Sequence, residues 1–504
     1  MMRVRRPSPL VLAAALAFAA AGCGRDEPHE LRAAVIGEGA VTLGDPLAPP
    51  ANEPQAELRL NLAQGLVRFD AAGQIEPGLA ERWNVSDDGL SYIFRLTPGE
   101  WPDGRKYIAR DVARILNRIL RSHRDDPTRD ALGAIDEIVA MTDRVIEIRL
   151  RAPRPNLLHL LAQPELALIR EGVGSGPFRL HEAKSDDPDA DTQVKDTSVR
   201  MTRRLRGIDG KPGEREQVSL SAMSAGRAIA AFRAEKLDVL LGGTIIDLPL
   251  ASRAKLARGV VRFDPAIGLF GLVPTRADGP LSEPDVRRLL SQAIDRDALI
   301  ATLGVPGLGP RATVLEAGLD GLADPAQPNW LTMPMAERRA GLQREAQRLF
   351  GETERPRLVV ALPEGWGGDI IFARLFQDWR AIGVVVERAG SGRRADLALI
   401  DAVAPSSSPA WYLRRFRCAA VPLCVQEADE LLFAAREAPD AAQRAALFAQ
   451  AAELMDEAIL FMPLTAPVRW SLVGDGAPGF RENRFARHPL AGLTRRTAQR
   501  GYNP

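Results

Sequence analysis

The segment from residue 358 to residue 400 constrains the fold most, because it reads as a complete unit of alternating strand and helix. The strand "LVVAL" is followed by the loop "PEGWGGD", the helical segment "IIFARLFQDWRAIG" and the strands "VVVERA" and "DLALI". A helix that links strands of one sheet makes a right-handed crossover, and ligands of such sheets gather at the strands' carboxyl ends. We therefore predict an α/β layer, with candidate ligand walls in the loops after Leu362 and Ile400.

A hairpin with one buried face is predicted between Glu81 and Leu96. Apolar and polar residues alternate on both sides of the turn "SDDG", a period of two that is typical of half-buried strands. Asp-Gly favours a tight hairpin turn because both residues tolerate left-handed backbone angles. The next helical segment, "WPDGRKYIARDVARILNRIL", has an apolar face opposite Arg114 and Arg118. That face comprises Val112, Ile115, Leu116 and Ile119.

The first residues predict export. Arginines lead into an apolar run from Leu10 to Ala21, which is shorter than the roughly 20 residues that span a bilayer. Residues 1–22 therefore read as a cleaved signal peptide. The ending "AAGC" resembles a bacterial lipobox, which implies lipid on Cys23 and a tether over residues 23–30, with a plain cleaved signal as the alternative. No later segment reads as a membrane span, so we expect a soluble body that is at most tethered.

The charge balance argues against nucleic-acid binding. Removing the signal leaves 63 basic residues against 65 acidic ones, whereas neutralising phosphates needs a basic surface. Nearly all the basic residues are Arg, which we interpret as codon bias rather than function.

Cys418 and Cys424 lie close together in "CAAVPLC". In an oxidising exported compartment such a pair is most simply a disulfide, with two free thiols as the alternative. The entropy model gives so short a loop only about 2 kcal/mol of stabilisation. The predicted bond would therefore hold the shape of one loop.

No arrangement typical of an enzyme or a metal site is visible. The five histidines are scattered, and none has metal-ligand spacing to another His or Cys. "GVGSGPF" lacks both the Lys-Ser/Thr ending of a phosphate-binding loop and the spacing of a nucleotide fingerprint, so it reads as a turn into a strand. We predict no catalytic residue, no metal ligand and no cofactor.

The region from Leu62 to Val112 resembles the signature of bacterial ABC-transporter solute-binding proteins of the dipeptide/oligopeptide class, family 5. The matching positions are Gln64-Gly65-Leu66, Pro77-Gly78-Leu79-Ala80, Trp83, Asp88-Gly89, Tyr92, Phe94, Asp103-Gly104 and Asp111-Val112, with Gln64 in place of the usual Glu. Later segments continue the resemblance in order: "GSGPFRL", "AFRAEKLDVL", "DVRRLLSQAIDRDALI" and "LMDEAILFMPL".

This resemblance implies an α/β, two-lobe periplasmic-binding-protein fold of the cluster C type with an extra N-terminal subdomain. The implied parts are lobe I over residues 31–265, which includes the extra subdomain over about 56–170, lobe II over 266–468, and a return to lobe I over 469–504. The implied function is capture of a peptide or peptide-like solute between closing lobes, and delivery to a membrane permease driven by an ATPase. We expect a monomer at the extracytoplasmic face of a bacterial membrane.

The resemblance thins where peptide-binding members carry an aspartate that pairs with the peptide's α-amino group. Aligning "DLALIDAVAPSSSPAWYL" puts Pro405 at that position, and Asp401 lies four residues earlier. The departure keeps a second hypothesis open: a lipoprotein that serves as a sensor or partner-binding scaffold, or that binds a non-peptide solute. Candidate ligand-facing residues in loops of lobe II are Trp366, Asp401, Ser406, Ser407 and Trp411.

Overall fold

The computed structural model describes residues 30–122, 132–181, 197–206, 212–351, 355–390, 394–438 and 440–494. The signal peptide and the predicted lipidation site, Cys23, lie outside the described residues. Two large sheets and one smaller sheet organise the rest. Below, lobe I is the part built on the seven-stranded sheet, lobe II the part built on the five-stranded sheet, and the extra subdomain the part built on the four-stranded sheet.

The sheet of lobe I is mixed, with its first strand pairing in parallel with two later ones. Its spatial order is Arg179–Leu180, Ser198–Arg206, Pro212–Met223, Glu30–Ile36, Val239–Thr244, Arg469–Val473 and Val261–Asp264. The strand Arg469–Val473 pairs with both of its neighbours antiparallel. The end of the chain therefore completes a sheet that the beginning of the chain started.

The sheet of lobe II contains the strand–helix–strand unit predicted from the sequence. Its order is Val385–Arg388, Arg357–Ala361, Leu397–Val403, Gly268–Pro274 and Met462–Pro463. Strand Arg357–Ala361 pairs in parallel with Val385–Arg388, and helix Trp366–Arg380 connects them. This confirms the predicted unit, although the helix begins at Trp366, inside the segment predicted as a loop. The chain passes between the two large sheets at residues 264–268 and again at 463–469.

The extra subdomain is an antiparallel sheet covered by one long helix. The sheet order is Ala80–Val85, Ser91–Leu96, Val145–Leu150 and Ile135–Thr142, and the helix is Ala109–Ser122. Two short hairpins flank this sheet, Val67–Phe69 with Ile75–Pro77 and Ile169–Arg170 with Val173–Gly174.

The predicted hairpin is confirmed. Gly89 has a φ of +67°, and its N–H donates to the carbonyl of Ser86 at 2.8 Å. The second strand buries Tyr92, Phe94 and Leu96, whereas Val85 of the first strand is 37% exposed. The first strand lies at the sheet edge, which explains why its alternation does not produce a fully buried face.

Further helices lie between the strands. Besides those named, they are Glu53–Leu62, Leu157–Leu161, Ala225–Arg233, Leu248–Arg253, Pro284–Ala293, Arg296–Leu303, Met335–Phe350, Pro409–Leu413, Gln426–Glu437 and Ala441–Glu457. Short 3₁₀ turns occur at Pro164–Leu166, Pro280–Ser282, Asn329–Leu331 and Arg414–Phe416. One apolar core joins the extra subdomain to the helices of lobe II, and another joins the two large sheets.

Candidate functional site

A cavity of about 740 Å³ lies between the extra subdomain and lobe II. This volume is in the range of pockets that enclose small ligands. Val273 and Ile400, from neighbouring strands of the lobe II sheet, form part of its lining. The loop that follows the strand Leu397–Val403 contributes Ser406 and Ser408, so this strand end forms a wall of the cavity.

The opposite wall comes from the loop of the extra subdomain that follows strand Val145–Leu150. Residues 153–156 line the cavity there, and Leu160 extends the wall into the next helix. The loop is held in place because the hydroxyl of Tyr92 donates to the carbonyl of Arg154 at 2.8 Å.

Among the described residues, three hydrogen bonds connect the two walls. Asn156 Nδ2 donates to Ser406 Oγ at 3.1 Å, and Gln163 Nε2 donates to the carbonyl of Pro405 at 2.9 Å. Arg436 Nη2 donates to the carbonyl of Gly133 at 3.2 Å. These bonds are few and mostly neutral, so we expect each to contribute only about 1 kcal/mol to holding the walls together.

Arginines dominate the polar lining of the cavity. They comprise Arg154 from the extra subdomain and Arg414, Arg415, Arg417, Arg436 and Arg444 from lobe II. Among the lining residues that the structure describes, Asp320 is the only one with a carboxylate.

Several of these guanidinium groups have few partners in the described part of the chain. Arg154 Nη1 donates to the carbonyl of its neighbour Pro153 at 3.1 Å, and Arg444 Nη2 donates to the carbonyl of Ala438 at 3.0 Å. Arg415 lies over the ring of Trp411, with 5.0 Å from its guanidinium carbon to the ring centroid. The buried Nε atoms of Arg415 and Arg444 have no hydrogen-bond partner among the described atoms.

The arginines also affect one another's ionisation. Burial lowers the pKa of Arg154 to about 10, the positive charges of Arg414, Arg444 and Arg436 add to that decrease, and the negative charge of Glu437 opposes it. Burial likewise lowers the pKa of Arg415 and of Arg444, and Asp440 partly offsets the effect on Arg444. Arg154 remains cationic near neutral pH, so its positive charge is held in the cavity at a cost in desolvation.

Asp320 lies next to the loop that contains Pro405. Its N–H donates to the carbonyl of Ser407 at 2.9 Å, which ties the two loops together. Burial raises the pKa of its carboxyl group, with opposing effects from His159 and Arg484. Asp320 forms no ion pair within 4.0 Å with any residue in the described ranges, although its side chain lines the cavity.

The five candidate residues from the sequence separate into two groups. Ser406 and Trp411 line the cavity. Ser407 is beside it but contributes only its backbone carbonyl to Asp320. Asp401 and Trp366 lie elsewhere, in the contact between lobe I and lobe II, which is called the seam below.

At that seam, each of these two residues already has a partner. Arg469 Nη1 donates to Asp401 Oδ1 at 2.8 Å, and both side chains are mostly buried. Trp366 is 49% exposed, and the guanidinium of Arg253 from lobe I lies 3.9 Å from its ring centroid. The loop after Leu362 therefore meets lobe I, whereas the sequence predicted a ligand wall there.

A disulfide closes the loop next to the arginine-rich wall. Cys418 and Cys424 are bonded, with their Cα atoms 5.0 Å apart. Ala419, Ala420 and Val421, within this loop, line the cavity. The backbone N–H of Cys418 donates to Asp429 Oδ2 at 3.0 Å, which fixes the loop against helix Gln426–Glu437.

Sequence reasoning missed the arginines as a group. Three of them form the run "RRFR", residues 414–417, a local charge cluster that could have been singled out. Arg154, Arg436 and Arg444 come from three other segments and carry no such local signal. Within the described residues, no group of three or more His, Cys, Asp or Glu is placed to hold a metal ion.

Comparisons with known proteins agree with this architecture. The model of "Bacterial extracellular solute-binding proteins, family 5 Middle" matches residues 74–387. The probable di/tripeptide-binding protein 5 of Pseudomonas aeruginosa is 25% identical over 485 residues, which cover 85% of this chain and 89% of the relative.

Two solved structures share the fold. The Escherichia coli murein tripeptide binding protein MppA has a TM-score of 0.75, and the Haemophilus influenzae OppA complex with RPPGFSPFR has a TM-score of 0.74. Each is 17% identical to this chain and covers 92% of it, over 97% of MppA and 98% of OppA. They confirm the predicted α/β two-lobe fold. The family match confirms the resemblance seen in the sequence: the chain belongs to the family 5 bacterial extracellular solute-binding proteins.

Proposed function

We propose that this protein is the solute-capturing component of an ABC importer and that it holds a peptide or peptide-like solute in the cavity between the extra subdomain and lobe II. The observation that carries the proposal is the cavity itself, which has walls from two separately built parts of a family 5 chain. A solute that contacts both walls favours the closed arrangement by the sum of those contacts. Relatives named for di- and tripeptides support peptides as the solute class.

Asp320 is our candidate for the partner of a solute amine. The aspartate usual in peptide-binding members is replaced by Pro405, and Asp320 is joined by a backbone hydrogen bond to Ser407, two residues further on. A buried amine without a carboxylate partner is costly, so a peptide ligand needs such a group near its amino end. Asp320 supplies the only carboxylate among the described lining residues.

We infer that the protein works in the periplasm or at the extracytoplasmic face of a bacterial membrane, with lipid on Cys23 as its tether. In the described ranges, no helix combines the length and the apolar character needed to cross a bilayer. The permease and its ATPase would then receive the solute from a monomeric, tethered binding protein.

Native mass spectrometry of the chain from Gly24 to Pro504, exported from a bacterial host and purified gently, tests the peptide class. We expect extra masses that fragment into amino-acid ladders. A single non-peptide mass would assign another solute class, and an empty protein that also binds no added peptide would favour the scaffold hypothesis.

The role of Asp320 is tested by Asp320→Asn. We expect about tenfold weaker binding of trialanine, because the amine loses its ionic partner. Binding of N-acetyl-trialanine, which has no charged amine, should change little. Equal losses for both peptides would contradict the assignment of Asp320 to the amine.

A further inference from the structure

We propose that the solute carries at least two anionic groups, carboxylate or phosphate, in addition to any amine, so that an acidic peptide fits the cavity better than a neutral or basic one. This inference rests on the proposed function, because it assigns the chemistry of the solute in the same cavity.

The charge balance of the lining is the first observation. Six arginines face the cavity, against one carboxylate among the described lining residues. Like charges in a partly desolvated site repel one another, and the remedy available to a binding protein is a ligand of opposite charge. Arg436 Nε lies 3.8 Å from Glu437 Oε1, whereas Arg154, Arg415 and Arg444 have no ion pair within the described residues. An amine on Asp320 would add one more positive charge, so the charge that compensates these three arginines has to come from the solute.

Unused donors are the second observation. Arg444 is only 9% exposed, one of its terminal nitrogens is occupied by the carbonyl of Ala438, and its buried Nε has no partner among the described atoms. The Nε of Arg415 is also buried and has no hydrogen-bond partner among the described atoms. Buried donors are nearly always paired in folded proteins, and guanidinium forks match the oxygens of carboxylate and phosphate.

The placement of the charges on both walls is the third observation. Arg154 belongs to the extra subdomain, and the charges of Arg414, Arg436 and Arg444, all in lobe II, act on it directly. Closing the walls without a ligand brings Arg154 and Arg444 together, and the three bridging hydrogen bonds found among the described residues offer little to oppose that repulsion. An anion between the walls converts the repulsion into attraction, so solute charge and closure are coupled.

Isothermal titration calorimetry with matched probes tests the inference. The probes are trialanine, triglutamate, trilysine and inorganic pyrophosphate, titrated into the Gly24 to Pro504 protein after dialysis. We expect triglutamate to bind at least about tenfold more tightly than trialanine, and trilysine not to bind measurably. Arg415→Gln and Arg444→Gln should each weaken triglutamate about tenfold while changing trialanine less than about threefold.

Two controls distinguish a loss of ligand contacts from a defect in folding. Arg227→Gln removes an exposed arginine of lobe I that does not line the cavity, and it should leave every affinity unchanged. Because Arg444 also holds the carbonyl of Ala438, a fold defect in its variant would show as a lowered melting temperature. Arg154→Gln then provides an independent test, because the side chain of Arg154 donates only to its neighbour Pro153 within the described residues.

The outcomes separate the inference from the proposed function. If trialanine binds as tightly as triglutamate, or if the arginine variants weaken the binding of both peptides equally, the inference of an anionic solute is wrong. The proposal that the protein captures peptides is then unaffected. If pyrophosphate binds and no peptide does, the anionic class stands and peptides are wrong. If no probe binds, the inference is wrong, and an empty protein in native mass spectrometry would then count against solute capture as well.

Discussion

The protein has two junctions between its parts, and the two differ in how their charged groups are paired. At the seam between lobe I and lobe II, Asp401 and Arg469 neutralise each other, and the backbone N–H of Gly367 donates to the carbonyl of Ile246 at 3.0 Å. At the cavity between the extra subdomain and lobe II, arginines come from both walls, and the described lining contains one carboxylate. One junction satisfies its polar groups internally, and the other leaves donors unused.

The difference is the one we expect if the first junction serves the protein's own closure and the second holds the proposed solute. A junction that needs no partner can pair its charges and bring backbones into direct contact. A junction that is to be completed by a solute has to carry uncompensated groups, at a cost in stability that binding offsets. Asp401 and Trp366, predicted as ligand-facing, lie at the first kind of junction, whereas Ser406 and Trp411 lie at the second.

The largest effect we expect is from Gly367→Ala at the seam. A Cβ on Gly367 would lie 2.1 Å from the carbonyl oxygen of Ile245, so one backbone has to move. Overpacking against backbone should lower the free energy of unfolding by about 3 kcal/mol or separate the lobes. Chemical denaturation measures the first outcome, and small-angle X-ray scattering measures the second as a larger radius of gyration.

Gly226→Ala is the matched control. Gly226 is also the second residue of a helix, Ala225–Arg233, but its added Cβ would meet nothing within 4 Å. Alanine is the better helix former, so this variant should be neutral or slightly more stable. If the two alanine variants behave alike, the seam is looser than the structure indicates.

The second effect concerns Asp401→Ala, which leaves Arg469 mostly buried without its carboxylate. We expect a loss of about 2–3 kcal/mol in the free energy of unfolding, partly recovered when Arg469→Ala is added. Because Asp401 does not line the cavity, triglutamate affinity should change by less than about threefold. A variant of normal stability that no longer binds solute would place Asp401 in the binding site. It would then contradict the difference between the seam and the cavity.

The smallest effect we expect is from the double variant Cys418→Ser with Cys424→Ser. A loop this short should stabilise the fold by at most about 2 kcal/mol. The loop lines the cavity through Ala419, Ala420 and Val421, so greater loop freedom should weaken triglutamate binding a few fold, by roughly 0.5–1 kcal/mol. Reduction of the unmodified protein should reproduce both changes, and unchanged affinity would show that the loop is not a working part of the wall.

Local patterns predicted the elements well. The alternation of Tyr92, Phe94 and Leu96 and the helical spacing of Val112, Leu116 and Ile119 correspond to buried faces in the structure. Arg114 and Arg118 are exposed, as expected for the opposite side of that helix. Such patterns succeed because burial of one face is a property of neighbouring residues along the chain.

The sequence by itself determined the family, the two-lobe fold class, the strand–helix–strand unit of lobe II and the hairpin, since each depends on local periodicity or on an ordered string of motifs. Only the tertiary structure decided what the polar residues do. Asp401 is neutralised by Arg469, 68 positions away, and Arg154 meets arginines more than 250 positions later. No local pattern encodes these encounters, because the partner of a charge is set by which surfaces the fold brings together.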